Sequence, residues 1–347
     1  MLGGGVFVTQ NKILPGSYIN FVSVASATSA LGERGTVAIA LPLNKAPGTI
    51  IEVTKADFAT KCAEVTGLEY ESTEAAPLRE IFAHATKVYI YDLGTDSGKT
   101  TADVINALEP YEFSIICAYT DVEEDVAAYI TAVEMWRDEL GKKCQLVVYN
   151  QEAPNYEGVI NVVSTVSDEG APAYALVAWL AGAEAGCKVN ESCTNMIYDG
   201  EYTIVTDKTQ KQLEECITNG EIAFHIVYGK VRLLEDINSL TETTADKGED
   251  FKSNQTMRVL DQIANDIAKM FNTKYLGKIP NNASGRVSLW ADIVAHHREL
   301  EALQAIDGFD SALLTVEQGA NKKSVVVNDV VTPVNAMAQL YMTVIVQ

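Results

Sequence analysis

The chain has 347 residues, of which 47% are hydrophobic and 21% are charged, a composition typical of globular proteins with two or three domains. Its 26 basic and 47 acidic residues give a formal net charge of −21, and no cluster of lysines and arginines reaches four residues. Because binding to a phosphate backbone needs a basic surface, we expect no direct contact with nucleic acid.

Membrane and redox signals are equally sparse. No apolar run approaches the roughly 20 residues that span a bilayer, and the N-terminal MLGGGVFVTQ lacks the features of a signal peptide. We therefore expect that the protein folds in the cytoplasm and does not insert into a membrane. The six cysteines, at positions 62, 117, 144, 187, 193 and 216, form no C-x-x-C motif. They are predicted to be buried free thiols and not disulfides or zinc ligands.

The first 86 residues have the pattern of short strands and turns. Glycines 3–5 precede VFVTQ, and a Pro15–Gly16 turn precedes SYINFVSV, so residues 1–25 are predicted to form an N-terminal arm with a strand. Residues 26–86, with GTVAIALPL and GTIIEVT, are predicted to form a small β-rich region.

Residues 87–240 alternate between two kinds of periodicity. Apolar runs such as KVYIYDL, FSIICAYT and CQLVVYN are separated by the amphipathic segments TADVINAL and EEDVAAYITAVEMWRDELG. Continuous apolar strands between amphipathic helices indicate a parallel sheet that is covered by helices on both faces. This range is therefore predicted to be an α/β domain.

Residues 241–334 are predicted to form an α+β domain. The predicted fold class is therefore α/β for the central sheet domain and α+β for the chain as a whole. A polar connector leads to a helix near Asn254, and a second helix is predicted to be capped by Ser284. The strands ALLTVEQG and KSVVVNDVV then form a hairpin with its turn at residues 319–321.

The sequence given ends in LYMTVIVQ, within a predicted arm over residues 335–347. Tyr341, Thr343 and Ile345 would lie on one face of an extended strand and Met342, Val344 and Val346 on the other, so neither face suits water. A strand that is apolar on both faces needs partners, which we expect in other subunits. Eight residues at about 3.4 Å each reach about 27 Å.

The predicted site residues lie in the two arms, apart from Pro333, which comes just before the C-terminal arm. The subunit-interaction residues are predicted to be Val6, Phe7, Val8, Tyr18, Ile19, Tyr341, Met342, Thr343, Val344, Ile345 and Val346. The hinge residues are predicted to be Gly3, Gly4, Gly5, Pro15, Gly16 and Pro333. Glycine and proline in these places would let the arms pivot while their pairing persists.

One segment, YDLGTDSGKTTADV, is close to a phosphate-binding loop. That loop needs four residues between its first glycine and the Gly-Lys-Ser/Thr, whereas Gly94 and Gly98 have three between them. The favoured interpretation is a solvated turn that caps a helix. The alternative is an α/β enzyme that binds nucleotide at Gly98, Lys99 and Thr100.

The four histidines form no recognisable catalytic motif. His84, His225, His296 and His297 include no H-E-x-x-H arrangement, and adjacent histidines on a helix point about 100° apart, which makes a poor metal pair. His297 falls on an apolar stripe and is expected in the core, whereas His296 is expected at the surface. We therefore expect no enzyme activity, no metal and no cofactor.

Several segments resemble the contractile tail sheath proteins of myophages and phage-tail-like bacteriocins. In the C-terminal third these are VRLLEDINSLT, RVLDQIANDI, GKIPNNASGRVSLWADI, HHRELEAL and PVNAMAQLYMTVIVQ, and near the start PGSYINFVSVA and GERGTVAIALP. Together they cover about half of the chain, at both ends. The middle region is similar in fold only to the subtilisin-like domain of sheath proteins, because no protease triad is recognisable.

The resemblance implies a structural subunit that polymerises as stacked hexameric rings around a tail tube, with arms donated to the C-terminal domains of neighbours. Contraction would drive the tube through a cell envelope. The implied partners are further copies of the chain, the tail tube protein, and baseplate and tail terminator proteins. The implied location is a virion or phage-tail-like particle, assembled in the bacterial host cytoplasm. Another tail or baseplate component remains an alternative.

Overall fold

The structure is a computed structural model that describes residues 31–95 and 98–346. The described chain forms two compact units. The main unit comprises residues 33–266 and 333–346, and the smaller unit comprises residues 31–32 and 267–332. The predicted N-terminal arm over residues 1–25 lies outside the described residues.

A seven-stranded sheet forms the centre of the main unit. Its strands are β1 (Thr36–Leu41), β2 (Ile50–Thr54), β3 (Lys87–Asp92), β4 (Ile115–Cys117), β5 (Gln145–Tyr149), β6 (Val159–Val162) and β7 (Glu221–Ile222). Their order in space is β2-β3-β1-β4-β5-β6-β7, and all neighbours run parallel except the pair β2 and β3. The strands pair mainly with parallel neighbours, so their connections must cross over the faces of the sheet.

Six helices accompany this sheet: α1 (Lys55–Thr66), α2 (Ala76–Phe82), α3 (Thr101–Leu108), α4 (Glu123–Asp138), α5 (Leu176–Gly186) and α6 (Gln210–Thr218). Alternate strand side chains enter two apolar cores, since Val37 and Ile39 face one core and Ala38 faces the other. Helices α1, α2 and α5 line the first core, and α3 and α4 line the second. The predicted sheet with helices on both faces is confirmed.

Helix α5 is buried on all sides, because its residues from Leu176 to Ala185 are small or apolar except for Glu184. A Cβ atom at Gly182 would lie 2.4 Å from the carbonyl oxygen of Ile81, and one at Gly186 would lie 2.4 Å from that of His84. The two glycines therefore allow α5 to approach the backbone of α2 and of the turn after it.

The N-terminal part of the sheet differs from the sequence expectation of a separate β-rich region over residues 26–86. Strand β1 pairs with β3 on one side and β4 on the other, and β2 pairs with β3. The strands of this range thus belong to the same sheet as the strand that begins at Lys87. The reason is long-range: β1 is apolar and mostly buried, as strands inside a sheet that is covered on both faces are, and the partners of its backbone come from β3 and β4, far away in the chain.

The remaining elements are β8 (Phe224–Val227), β9 (Lys230–Leu233), α7 (Asn254–Met270), α8 (Ala283–Ala302), β10 (Thr315–Gln318) and β11 (Val325–Asn328). Strands β8 and β9 form one hairpin, and β10 and β11 form the predicted second hairpin. Helix α7 begins at Asn254 as predicted. The cap of α8 is Asn282, whose side chain accepts from the N–H of Gly285, and not Ser284, which lies inside the first turn.

Candidate functional site

The C-terminal arm exposes its apolar side chains. Its exposed apolar residues are Met337, Leu340, Tyr341, Met342, Val344, Ile345 and Val346, with exposed fractions from 69% at Val344 to 102% at Met337. Thr343 is also exposed, and residues 337–346 form no strand with any other described residue. The predicted interaction residues of this arm thus lie together in one unpaired segment, whereas those at positions 6–8, 18 and 19 lie outside the described residues.

The root of this arm is held by the beginning of α7. The side-chain amide of Gln255 donates to the carbonyl oxygen of Val334 at 3.1 Å and accepts from the N–H of Ala336 at 2.8 Å. The hydroxyl of Thr256 donates to Asn335 Oδ1 at 3.2 Å. Gln255 therefore bonds the chain on both sides of Asn335, as a neighbouring strand would. The sequence pattern does not predict this anchor, although the polar run N-Q-T stands at the start of an amphipathic helix.

The predicted hinge residue of this arm, Pro333, lies one residue before the anchored segment and at the boundary between the two units. The other predicted hinge residues, at positions 3–5, 15 and 16, lie outside the described residues. The pivoting of either arm stays a prediction.

The same part of α7 buries an arginine. Arg258 is 1% exposed, and its Nη2 atom donates to Glu184 Oε2 at 2.6 Å and to Asp236 Oδ2 at 3.2 Å. Its Nη1 atom donates to the carbonyl oxygen of Glu191 at 2.8 Å. Since a buried charge is stable only with such partners, these contacts fix α7 against α5 and the segment after β9. We call Arg258, Glu184 and Asp236 the arginine cluster.

The two carboxyl groups of the arginine cluster differ in proton affinity. Burial, together with the nearby charge of Asp236, raises the pKa of Glu184 well above its usual value. Burial would also raise the pKa of Asp236, but Arg258 and hydrogen bonds hold that pKa below its usual value. Glu184 Oε1 and Asp236 Oδ1 have no hydrogen-bond partner among the described residues.

A second arginine, Arg34, interacts electrostatically with the arginine cluster. The Arg34 guanidinium donates to the carbonyl oxygen of Glu184 at 3.4 Å. Burial and the positive charge of Arg258 lower the pKa of Arg34 to about 10. One further ion pair, between Arg137 and Asp261 at 2.6 Å, joins α4 to α7 and is also buried. The helix that holds the arm is therefore attached to the body by buried charges.

The arginine cluster also contains a possible metal-ligand set. The ligand atoms of Glu184, Cys193 and Asp236 all lie within 4.8 Å of one another. However, Arg258 Nη2 lies 2.6 Å from Glu184, 3.2 Å from Asp236 and 4.0 Å from Cys193 Sγ. The guanidinium already occupies the place that a cation would need, so the donor set does not fit a metal ion.

Residues 96 and 97 of the Gly-Lys-Thr segment lie outside the described part of the chain, and the described N–H of Gly94 is bound by the carboxylate of Asp92 at 2.9 Å. The same carboxylate accepts from the N–H groups of a neighbouring loop, those of Asn44 at 2.9 Å, Lys45 at 2.7 Å and Ala46 at 2.6 Å. Although burial acts to raise the pKa of Asp92, these four donors hold it below its usual value. The chain thus fills this anion site with its own side chain.

The rest of that segment caps a helix. Thr100 accepts from the N–H of Asp103, and the Asp103 carboxylate accepts from the N–H of Thr100, which is a capping box at the start of α3. Lys99 is exposed. The interpretation as a solvated capping turn therefore agrees with the geometry. The nucleotide-binding alternative gains no support.

The histidines are placed in structural contacts. His297 is buried as predicted, and its Nε2 atom lies 2.6 Å from Asp329 Oδ2. The prediction that His296 lies at the surface is wrong, because it is 1% exposed and its Nδ1 atom lies 3.2 Å from His297 Nδ1. The apolar stripe of α8 therefore does not show the full buried surface of the helix, because the adjacent residues His296 and His297 are both buried.

The smaller unit contains a cavity of about 90 Å³, lined by residues that include Phe271, Tyr275, Leu289 and Arg286. Ligand pockets usually have volumes of about 300 Å³ or more, so this cavity is too small for a typical substrate. Among the described residues no helix is long and apolar enough to cross a membrane.

A body joined by buried charges, together with an arm whose apolar side chains are exposed, is typical of one class of protein, the structural subunits of assemblies. Family models agree with this class. The phage tail sheath protein central domain matches residues 94–239, and the phage tail sheath C-terminal domain matches residues 246–347. The chain belongs to the phage tail sheath proteins.

Two relatives illustrate the similarity. The Bacillus subtilis protein YqbK is 30% identical over 270 residues, which are 72% of this chain and 57% of YqbK. The tail sheath protein of Clostridium phage phiCD119 is 29% identical over 216 residues, which are 61% of this chain and 60% of that protein. The chain thus spans less than two thirds of the length of these relatives.

Solved structures have the same fold. The sheath tail protein of Desulfitobacterium hafniense is 25% identical, with a TM-score of 0.79 over 94% of this chain and 99% of its own. The helical sheath of the anti-feeding prophage in its contracted state is 16% identical, with a TM-score of 0.68 over 96% of this chain and 99% of that chain. The second similarity is evidence for the fold alone.

Proposed function

We propose that the protein is the subunit of a contractile tail sheath, which polymerises as stacked hexameric rings around a tail tube and contracts to drive the tube through a cell envelope. The observation that carries the proposal is the unpaired C-terminal arm. Its exposed apolar side chains, from Met337 to Val346, have no strand partner among the described residues, and Gln255 fixes the root from which they extend.

The arm of one copy is proposed to add as a strand to a sheet of a neighbouring copy. The hairpin of β10 and β11 is a suitable acceptor, because it is a two-stranded sheet among the described residues and exposes Val326 and Val327. Two strands alone are only marginally stable, and a third strand adds main-chain hydrogen bonds. A contact of this head-to-tail kind generates rings or helices instead of closed dimers.

Contraction is proposed to be a rigid-body rearrangement of subunits that stay connected through their arms. The energy would come from the difference between two packings of the lattice, with the extended packing held by a kinetic barrier. The proposed partners are the tail tube protein and the baseplate and tail terminator proteins. Assembly is proposed to occur in the bacterial host cytoplasm, and no enzymatic step is required.

The test compares the purified full chain with a variant that lacks residues 340–347. The full chain is expected to form sedimenting rings or tubes in negative-stain electron microscopy, and the shortened chain is expected to stay a soluble monomer. Tyr228→Ala is a matched control, because Tyr228 is 99% exposed but lies on the turn of the β8–β9 hairpin. This control should polymerise normally.

A shortened chain that forms polymers of unchanged length would overturn the role of the arm. Thermal unfolding of both chains at the same midpoint would show that the deletion leaves the body folded. Loss of assembly in the Tyr228→Ala control would mean that exposed apolar side chains in general, and not the arm in particular, drive association.

A further inference from the structure

The cavity of the smaller unit has an apolar and exposed mouth. Of the side chains that line it, Leu276 is 58% exposed and Ile279 is 43% exposed. An apolar cavity of about 150 Å³ accommodates a benzene molecule. The cavity of about 90 Å³ therefore suits an aliphatic side chain that is smaller than an aromatic ring. Its open mouth would admit such a side chain from another molecule.

Cations surround this mouth. Arg286 and Lys323 line the cavity, and Lys278 and Lys322 are the chain neighbours of lining residues. In the described part of the chain none of these four side chains pairs with a carboxylate, and all but Arg286 are exposed. Residues 267–332 contain as many basic as acidic side chains, whereas the whole chain has 26 and 47. We call the cavity and its four cations the cationic cavity.

The main unit has a surface of the opposite character. Val122 is 51% exposed and directly precedes α4, which begins at Glu123. The flanking carboxylates of Asp121, Glu123 and Glu124 are exposed, and none of them forms an ion pair with another described residue. Residues 121–124, which we call the acidic corner, thus present one short aliphatic side chain among three carboxylates.

We propose that the acidic corner of one copy docks on the cationic cavity of a second copy, with Val122 in the cavity and the three carboxylates against the cations around its mouth. An apolar anchor in a pocket with a charged rim is a usual arrangement at interfaces. The C-terminal arm matches this site less well, because residues 335–347 include no charged side chain and leave the cations unpaired.

Two other exposed apolar side chains near carboxylates also match less well. Tyr70 lies between two glutamates, but it is aromatic and its ring centroid lies 5.2 Å from that of Phe58 in its own chain. Leu140 is 55% exposed and follows Glu139, but lysines at positions 142 and 143 follow it closely. Size and charge together therefore favour Val122.

The contact is additional to that of the arm and rests on the proposed function, in which many copies of the chain lie side by side. Because the two surfaces differ, the contact is head-to-tail, as in rings and helices. One valine and a few charges bury little surface, and interfaces that bury less than about 1,200 Å² are weak. The contact therefore adds to the arm and does not replace it.

The test joins two variants of the full chain by a disulfide. A chain with Val122→Cys is mixed with a chain with Ile279→Cys, oxidised glutathione is added, and joined peptides are identified by mass spectrometry. The native cysteines are buried or half-buried, so the introduced thiols should react first. We expect a peptide that joins positions 122 and 279, which can come only from two different copies.

Leu140→Cys is the matched control, because Leu140 is as exposed as Val122 and lies just beyond the other end of α4. Mixed with the Ile279→Cys chain, it should give no joined peptide. Equal yields from Leu140→Cys and Val122→Cys would mean that the two chains meet at random, and would overturn the proposal.

A charge exchange tests the rim. Lys323→Glu, added to the Ile279→Cys chain, places like charges opposite each other and should lower the yield by about tenfold. Glu123→Lys in the Val122→Cys chain should restore it. Lys211→Glu makes the same change of charge on an exposed part of α6 and should leave the yield unchanged.

The proposal is overturned if positions 122 and 279 are not joined, or if Lys323→Glu and Lys211→Glu lower the yield equally. Electron microscopy of the unmodified chain distinguishes this failure from that of the proposed function. Rings or tubes without the joined peptide would overturn the docking contact alone. The joined peptide without rings or tubes would support the contact and overturn the proposed sheath function.

Discussion

Two parts of the main unit invert the usual distribution of side chains. The first turns of α7 bury polar residues, which are Asn254, Gln255, Thr256, Arg258, Asp261 and Gln262, whereas the C-terminal arm exposes apolar ones. The two parts meet where Gln255 holds the root of the arm. Buried polar groups are costly unless each finds a partner, and exposed apolar strands favour association. The partners of α7 lie within the chain, whereas the apolar side chains of the arm have no strand partner among the described residues.

The largest effect is expected when a buried polar side chain of α7 is removed. Arg258→Ala leaves Glu184 and Asp236 buried without their cation, and the free energy of unfolding should fall by about 3–5 kcal/mol. Urea denaturation followed by circular dichroism measures the loss. Arg298→Ala is the control, because Arg298 pairs with Glu301 on an exposed surface and should cost less than about 1 kcal/mol. Equal losses would show that the arginine cluster has no special role.

A second buried polar group should make stability depend on pH. Glu80 is 1% exposed and accepts from the hydroxyl of Tyr198 at 2.9 Å and the N–H of Glu201 at 2.5 Å. Burial raises the pKa of Glu80 from 4.5 to about 7, and the hydrogen bonds oppose the rise. The folded chain therefore holds the Glu80 proton more tightly than the unfolded chain does.

The tighter binding of this proton in the folded chain means that stability falls as pH rises. The contribution of Glu80 is fully present below pH 4.5 and is lost as pH rises to about 7, a decrease of about 3 kcal/mol. Urea denaturation between pH 5 and 8 should show this decrease in the unmodified chain and a smaller one in Glu80→Gln, which preserves the shape. Parallel stability curves for the two chains would contradict the prediction.

A smaller effect is expected at the junction of the two parts. Gln255→Ala removes two hydrogen bonds to the root of the arm, at Val334 and Ala336, and should cost about 1–3 kcal/mol. Hydrogen exchange at the Ala336 amide should become faster. Gln255→Glu keeps the acceptor for Ala336 but cannot donate to Val334, so it should protect that amide better than alanine does. Unchanged exchange in Gln255→Ala would exclude the anchor.

The smallest effect is expected at an exposed polar residue, which sharpens the contrast with the exposed apolar arm. Lys99→Ala should change neither assembly nor the midpoint of unfolding, because Lys99 is exposed and Asp92 already occupies the neighbouring N–H groups. Calorimetry should detect no binding of ATP or GTP at millimolar concentration to either chain. Binding that disappears in the variant would instead favour the nucleotide-binding alternative.

The sequence predicted what depends on local pattern and missed what depends on distant partners. Apolar runs and amphipathic segments were sufficient for the parallel sheet, for α7 and for the hairpin of β10 and β11. The burial of Arg258 could not be predicted, because its carboxyl partners lie 74 and 22 residues away in the chain. The same limit applies to β1, which belongs to the sheet through pairing with β3 and β4.

Tethering by Gln255 also bears on how rings would close. Ten residues follow Ala336 up to Val346, and an extended chain of that length reaches about 33 Å. Once two bodies lie side by side, the arm of one meets its neighbour at an effective concentration in the millimolar range. The last contact of a proposed ring would then be intramolecular, so complete rings would be favoured over open chains even if a single arm binds weakly.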